Sequence, residues 1–275
     1  MRGHDFAMKL IALPLVASLL AACAAATPPA PAELAPGRYD LVAVDGTPVV
    51  NPAAERGEWQ KAQFGFGTRS YGGDAGCNSL GGLYVQVEGR FYTMPGPQTA
   101  MMCAGRPMEQ EDIANAVFTS APAIANGGNG EIVLSGAGHS LTLRKVSDAA
   151  PQDAPTAWQS PTLAGQTFVV EAIGLDRIPG EQIYGKTPPR LAFAKDRVSL
   201  RVDCPAPVSA SFVESGEGLS IGTFAAPCAK GARDRALAAI LEAEPRYVSG
   251  PNGELLIASS AGWAQLSNVR RDRPK

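Results

Sequence analysis

The chain has 275 residues, of which 45% are hydrophobic and 18% charged, and its formal net charge is −2 at pH 7. That length allows two domains of ordinary size. The near-balance of charge excludes the broad basic surface of a nucleic-acid-binding protein, so no nucleic-acid partner is expected.

The first 22 residues read as a secretory signal peptide. Arg2 and Lys9 supply its positive start, and Leu10–Leu20 forms an apolar run. This run is too short to cross a bilayer, whose core needs about 20 apolar residues in a helix. The sequence therefore predicts export.

A cysteine follows the apolar run, in Leu20-Ala21-Ala22-Cys23. The segment resembles the lipobox of bacterial lipoproteins, and this resemblance implies lipid attachment at Cys23 and a membrane partner reached through that anchor. The alternative is an ordinary cleavage site beside a chance cysteine. Ala24 resembles an outer-membrane sorting signal, so the expected location is the cell envelope, at the outer membrane facing the periplasm.

Proline- and alanine-rich stretches divide the remaining chain. Residues 23–36 are predicted to be a tether, and residues 147–161 have the composition of a linker. The predicted domains are 37–146 and 162–270, followed by a charged tail at 271–275.

The two domains read as copies of one unit. Gly37–Gly46 matches Gly165–Gly174, and further landmarks recur in the same order about 125 residues later. These later landmarks are Phe64 and Phe66 with Leu191 and Phe193, Cys77 with Cys204, Cys103 with Cys228, and Asn129-Gly130-Glu131 with Asn252-Gly253-Glu254.

Each copy has the pattern of several strands and one helix. Strands are predicted at Tyr39–Val44, around Phe64 and Phe66, at Leu83–Val87, and in terminal hairpins at 132–143 and 255–266. A helix is predicted to begin near Pro107, with Ile113, Val117 and Phe118 on its apolar face. Its counterpart is predicted from Ala232 to Ala243, with Leu237, Ile240 and Leu241 pointing inward. The expected fold class is α+β, with two similar domains, each a mostly antiparallel, curved, half-rolled sheet with one covering helix.

Four cysteines follow Cys23, and in an exported protein they should be oxidised. They allow three pairings, among which sequence alone does not choose. Because a duplicated unit most simply carries its own bridge, we predict Cys77–Cys103 and Cys204–Cys228. Each would close a loop of about 25 residues, worth about 3.5 kcal/mol in the chain-entropy model.

Several motifs of the first copy resemble the META/HslJ domain family. The motif residues are Gly76, Cys77 and Asn78 in a turn, Thr99 and Cys103 in a Thr-x-x-x-Cys segment, and Met108, Glu109 and Glu111 at a helix start. The resemblance covers nearly all of residues 37–146 and implies a small envelope or stress-associated domain without catalytic residues. The second copy keeps both cysteines but has Asp203-Cys204-Pro205 in place of Gly-Cys-Asn, so we interpret it as a diverged META-like domain. By their residue types alone, the motif residues are expected to have structural roles in a turn and its packing.

Catalysis is not expected. His139 is the single histidine after the signal peptide, and it falls in a predicted hairpin turn. In the second copy, Trp263 is expected at the equivalent position. Histidine-based nucleophilic catalysis or a metal site would need more than this residue, so neither a metal nor a cofactor is expected. Two functions stay open: a module that binds an envelope protein or wall component and supports stress tolerance, and a carrier of a lipid or small hydrophobic ligand in a sheet pocket.

Overall fold

The computed structural model describes residues 31–50, 61–149, 162–175, 178–182, 188–202, 206–224 and 232–269. The predicted signal peptide, Cys23, most of the linker, the tail, Cys204 and Cys228 lie outside these ranges.

The first repeat is a sheet of nine strands with one helix among the described residues. The strands are β1 Gly37–Val44, β2 Thr47–Pro48, β3 Gln63–Phe66, β4 Ser70–Asp74, β5 Ser79–Val87, β6 Arg90–Pro95, β7 Ala123–Asn126, β8 Glu131–Gly136 and β9 His139–Ser147, and helix α1 is Arg106–Thr119. All pairs are antiparallel, in the order β2-β1-β3-β4-β5-β6-β7-β8-β9. Since β1 also pairs with β9, the sheet closes into a barrel.

The second repeat has the same plan. Its strands are β10 Thr167–Leu175, β11 Ile178–Gln182, β12 Arg190–Phe193, β13 Arg197–Arg201, β14 Val208–Ser215, β15 Gly218–Ile221, β16 Arg246–Ser249, β17 Glu254–Ser259 and β18 Gly262–Asn268, and helix α2 is Ala232–Glu242. The strand order repeats that of the first copy, and β10 pairs with β18. The predicted α+β class is confirmed, with sheets that close beyond a half roll.

The two barrels have different interiors. In the first, aromatic rings contact one another across the core: Tyr39, Phe64, Phe66, Tyr71, Tyr84, Phe91 and Phe118. Phe118 comes from α1, together with buried Ala114 and Val117. In the second, Phe168, Phe193 and Phe212 pack with aliphatic side chains, and α2 contributes Leu237, Ile240 and Leu241. The predicted inward faces of both helices are confirmed, although Ile113 is half-buried.

The first barrel begins earlier than predicted. Leu34, which the sequence placed in the tether, is 1% exposed and packs in the barrel core. Its backbone N–H donates to Gln86 Oε1 at 2.8 Å, and its carbonyl accepts from Gln86 Nε2 at 2.9 Å. The chain is therefore fixed to the barrel three residues before β1.

The repeats pack against each other through an apolar cluster that we call the inter-repeat core. Its buried members are Leu83, Val85 and Tyr92 of the first repeat, and Val248, Leu256 and Ala258 of the second. Because Tyr84 points into its own barrel, the alternating residues of β5 point outward and meet the second repeat. Strand β5 is thus buried on both faces.

Polar contacts surround this core. Tyr92 Oη donates to the Ser259 carbonyl at 3.3 Å, and Gln265 Nε2 donates to the Thr93 carbonyl at 3.2 Å. Glu217 of the second repeat bridges Arg69 of the first, at 3.3 Å, and Arg246 of its own repeat, at 2.9 Å.

The contact uses different faces of the two copies. By strand register, the outward residues Leu83, Val85, Val87, Tyr92 and Met94 correspond to Ser211, Val213, Ser215, Ser220 and Gly222 in the second repeat. In turn, Val248, Leu256, Ala258 and Trp263 correspond to Ala125, Val133, Ser135 and Ser140 in the first. Apart from Val213 and Val133, the equivalent positions on the other face of each copy carry small or polar side chains.

Candidate functional site

The family-motif residues converge where the β4–β5 turn meets the start of α1. Asn78 is 2% exposed and connects three segments of the chain. Its Nδ2 donates to Glu111 Oε1 at 2.9 Å and to the Met101 carbonyl at 3.0 Å, while its Oδ1 accepts from Thr99 Oγ1 at 3.1 Å and from the Met101 N–H at 2.5 Å. We call Asn78, Thr99 and Glu111, with the backbone of Met101, the asparagine network.

Glu111 supplies the carboxylate of this network and is only 8% exposed. Its Oε2 accepts the Asn78 backbone N–H at 2.5 Å, and its Oε1 accepts from Asn78 Nδ2. A buried carboxylate is tolerable when donors surround it, which is the case here. The Glu111 side chain therefore fixes the turn to α1.

The predicted Cys77–Cys103 bridge is present, with an S–S distance of 2.02 Å and Cα atoms 5.9 Å apart. Met108 Sδ lies 4.0 Å from Cys77 Sγ. Gly76 has φ +121°, and a Cβ there would lie 3.2 Å from Gln110 Nε2. The Gly-Cys-Asn turn thus requires glycine for its backbone angle and cysteine for the bridge.

Sequence reasoning missed two members of this region. Gln110 is 4% exposed; its Oε1 accepts from the Val50 N–H at 2.7 Å, and its Nε2 donates to the Val50 and Ala75 carbonyls, both at 3.1 Å. Asp74 accepts a short hydrogen bond from the Gly76 N–H. Polar side chains rarely stay buried without such partners, but the partner of Gln110 is 60 residues away in sequence. Glu109, by contrast, is exposed.

The environment of the turn raises the pKa of the Asp74 carboxyl. Burial raises the pKa of Asp74; hydrogen bonds from the Gly76 and Cys77 N–H groups oppose the shift, and the charge of Glu111 adds to it. The two acids approach the same turn, and each is occupied by backbone donors. They hold the turn rather than present an acid–base pair to a substrate.

His139 lies at the surface, in a structural contact. Its Nδ1 is 2.7 Å from Asp45 Oδ2, and the side chains are 40% and 41% exposed. The His139 hydrogen bond and the Ser140 N–H lower the pKa of Asp45. The match of His139 to Trp263 was wrong: by register His139 corresponds to Gly262, and Trp263 corresponds to Ser140.

A cavity of about 380 Å³ lies between the repeats, beside the inter-repeat core. Leu83, Met94, Pro95 and Pro97 of the first repeat line one side, and Asn252 and Glu254 of the second line the other. A volume of this size is within the range of small-molecule sites.

The described residues contain neither a candidate metal site nor a candidate membrane-spanning helix. No group of three or more histidine, cysteine, aspartate or glutamate side chains is placed to hold a metal ion there. Neither helix of that part of the chain is long and apolar enough to cross a membrane.

Comparisons with known proteins support the resemblance of the first repeat. Residues 32–148 match the family model of the META domain. No curated protein matches the chain. Among solved structures, an NMR structure of the protein from Burkholderia xenovorans is 15% identical, with 46% of this chain and 97% of that chain covered and a TM-score of 0.34. The crystal structure of the beta subunit from DNA polymerase of Streptococcus pyogenes is 12% identical, with 76% and 56% covered and a TM-score of 0.16. Both scores are too low to support a functional comparison.

Proposed function

We propose, from the match of residues 32–148 to the META-domain family model, that the protein is a non-catalytic lipoprotein of the bacterial cell envelope. In this proposal, Cys23 carries the lipid, and the paired barrels bind an envelope protein or wall component and support tolerance of stress. The expected location is the outer membrane, facing the periplasm.

One observation carries the non-catalytic part of the proposal. The motif residues of the META domain bond to one another: Asn78 is held by Glu111, Thr99 and Met101, and Cys77 is held by Cys103. Residues that act on a substrate need atoms directed at a reacting group. A network that is satisfied internally favours a structural role for the signature.

The envelope part of the proposal is supported by the sequence around Cys23 and by the Cys77–Cys103 bridge. Disulfides persist in oxidising compartments such as the bacterial periplasm. A lipid anchor would hold the protein to the membrane without a spanning helix, because each buried CH₂ contributes about 0.8 kcal/mol.

The anchor is tested by comparing the full chain with its Cys23→Ser variant in a bacterial host. We expect labelled palmitate to enter the wild type, which should fractionate with outer membranes, and to be absent from Cys23→Ser. The Cys77→Ser variant is the control, since it removes a cysteine without touching the anchor. Equal labelling or equal fractionation of wild type and Cys23→Ser would contradict the proposal.

The binding role is tested with purified sacculi and detergent-solubilised envelope extract. We expect the full chain to co-sediment with sacculi, or the tagged full chain to retain one envelope protein from the extract. Untagged full chain should compete for that envelope protein. Deleting the second repeat is a poor comparator, because it would expose Leu83, Val85 and Tyr92. Absence of saturable binding in both assays would count against a binding module.

A further inference from the structure

One carboxylate lines the cleft between the repeats, and the equivalent carboxylate of the first repeat is paired with a basic side chain. Glu131 and Arg144 face each other across β8 and β9, with a 2.6 Å ion pair. In the second repeat, Glu254 occupies the register position of Glu131, but its partner across the strands is Ser267. The acid is thus present at this position in both repeats, and the base opposite it only in the first.

The Glu254 carboxylate is held in place without being neutralised. Its two oxygens accept from the Asn252 N–H at 2.9 Å and from Asn252 Nδ2 at 3.0 Å. These donors are neutral, and the described residues that line the cavity include Glu254 as their single carboxylate and no lysine, arginine or histidine. The electrostatic character of the cavity is therefore that of one negative charge.

Apart from the neutral polar residues Ser70, Tyr71 and Asn252, the rest of the lining is apolar or glycine. Leu83, Met94, Pro95 and Pro97 supply apolar surface, and Gly82 leaves the floor open. A Cβ on Gly82 would lie 2.2 Å from the Met94 carbonyl oxygen, so the strand geometry itself requires glycine there. At about 380 Å³, the cavity falls within the range of small-molecule sites, about 300–1,000 Å³.

We propose that this cleft binds a small amphipathic cation, with an apolar body against Leu83, Met94 and the prolines and an ammonium group at Glu254. An anionic ligand such as a fatty acid would meet the charge of Glu254 without a compensating base. A charge-assisted hydrogen bond to a carboxylate is worth more than a neutral one, which favours an amine over an alcohol of the same shape. The site does not depend on the lipid anchor or on a macromolecular partner.

The test uses three probes of the same body: phenylbutylamine, phenylbutanol and phenylbutyrate. Binding to the full chain in lipid nanodiscs is measured by ligand-detected NMR titration, with empty nanodiscs as the blank. We expect the amine to bind about tenfold more tightly than the alcohol and the carboxylate to bind weakest, because a charge-assisted bond is worth about 1.5 kcal/mol or more.

Three variants locate the charge. Glu254→Gln should remove the preference for the amine and leave the alcohol unchanged, while Glu131→Gln, its register equivalent outside the cavity, should change neither. Ser267→Arg, which also removes the hydrogen bond from Ser267 to Glu171, should place a cation opposite Glu254 and remove the preference as well. The proposal is overturned if no probe binds above the blank, if the three probes bind alike, or if Glu131→Gln acts like Glu254→Gln.

Discussion

Asn78 is the buried side chain at the centre of the asparagine network. It bonds Glu111, Thr99 and both backbone groups of Met101 from a buried position. Asn78→Ala would leave the Glu111 carboxylate and the Met101 N–H without these partners. We expect the free energy of unfolding to fall by about 2 to 4 kcal/mol, measured by urea denaturation.

The matched control is Asn115→Ala on α1, whose side chain contacts Gln98 at the surface. It should change the free energy of unfolding by no more than about 0.5 kcal/mol. Equal losses in the two variants would show that the asparagine network does not stabilise the fold.

Asp74 should make stability depend on pH in the unusual direction. Burial raises the pKa of Asp74 in the folded protein above its usual value, so the folded state holds this proton more tightly than the unfolded state does. The contribution of Asp74 to the free energy of unfolding is then highest below the unfolded pKa and declines as pH rises through the folded pKa.

Asp74→Asn removes this titration. The stability of the variant relative to wild type should rise as pH increases from about 4 towards neutrality, in urea denaturation series. Glu109→Gln, an exposed acid on α1, should show no comparable trend. A relative stability of Asp74→Asn that falls with pH would place the folded pKa of Asp74 below its unfolded value.

At the level of elements, β5 shows what separates the two copies. Val85 is 4% exposed in the inter-repeat core, whereas its register equivalent Val213 is 64% exposed. Val85→Asp would bury an unpaired charge and should lower the free energy of unfolding by about 3 kcal/mol, while Val213→Asp should cost about 0.5 kcal/mol or less. Chemical denaturation of both variants measures this, and similar losses would mean that the inter-repeat core does not stabilise the protein.

The sequence predicted strands and helices well because their signals are local. The Asp45-Gly46 turn has φ angles of +50° and +72°, as a two-residue hairpin requires, and the Pro107 signal lies in the first turn of α1. The alternation of β5 did not predict which of its side chains face the barrel interior. Leu83 and Val85 alternate with Tyr84, and both sets are buried, so either could face the barrel.

The candidate site was predictable only in part, because its contacts join residues that are far apart in the sequence. The motif residues were identified from their resemblance, but the contact of Asn78 with Glu111 spans 33 residues and depends on how α1 crosses the turn. Glu254 was matched to Glu131 as a landmark, yet its missing base became visible only through the register that sets Ser267 opposite. The Cys204–Cys228 bridge stays a prediction, which peptide mapping under non-reducing conditions would check.

At the scale of the whole molecule, the two repeats form a head-to-tail contact rather than a symmetric one. The first repeat offers β5 and β6, and the second offers β16, β17 and β18. A heterologous contact of this kind can continue indefinitely if both free faces stay adhesive. Here the β14–β15 face has Ser211, Ser215 and Ser220 at the equivalent positions and keeps Val213 as its apolar member, so it is less apolar than the β5–β6 face.

Because the inter-repeat core buries side chains from both barrels, the repeats should unfold together. We expect one calorimetric transition for the full chain, with equal calorimetric and van't Hoff enthalpies. In Val85→Asp the coupling is weakened, and two transitions should appear, since each barrel keeps its own interior. Val213→Asp should keep the single transition. Two transitions in the wild type would mean that each barrel is stable without its neighbour and that the inter-repeat cleft is not a fixed feature of the molecule.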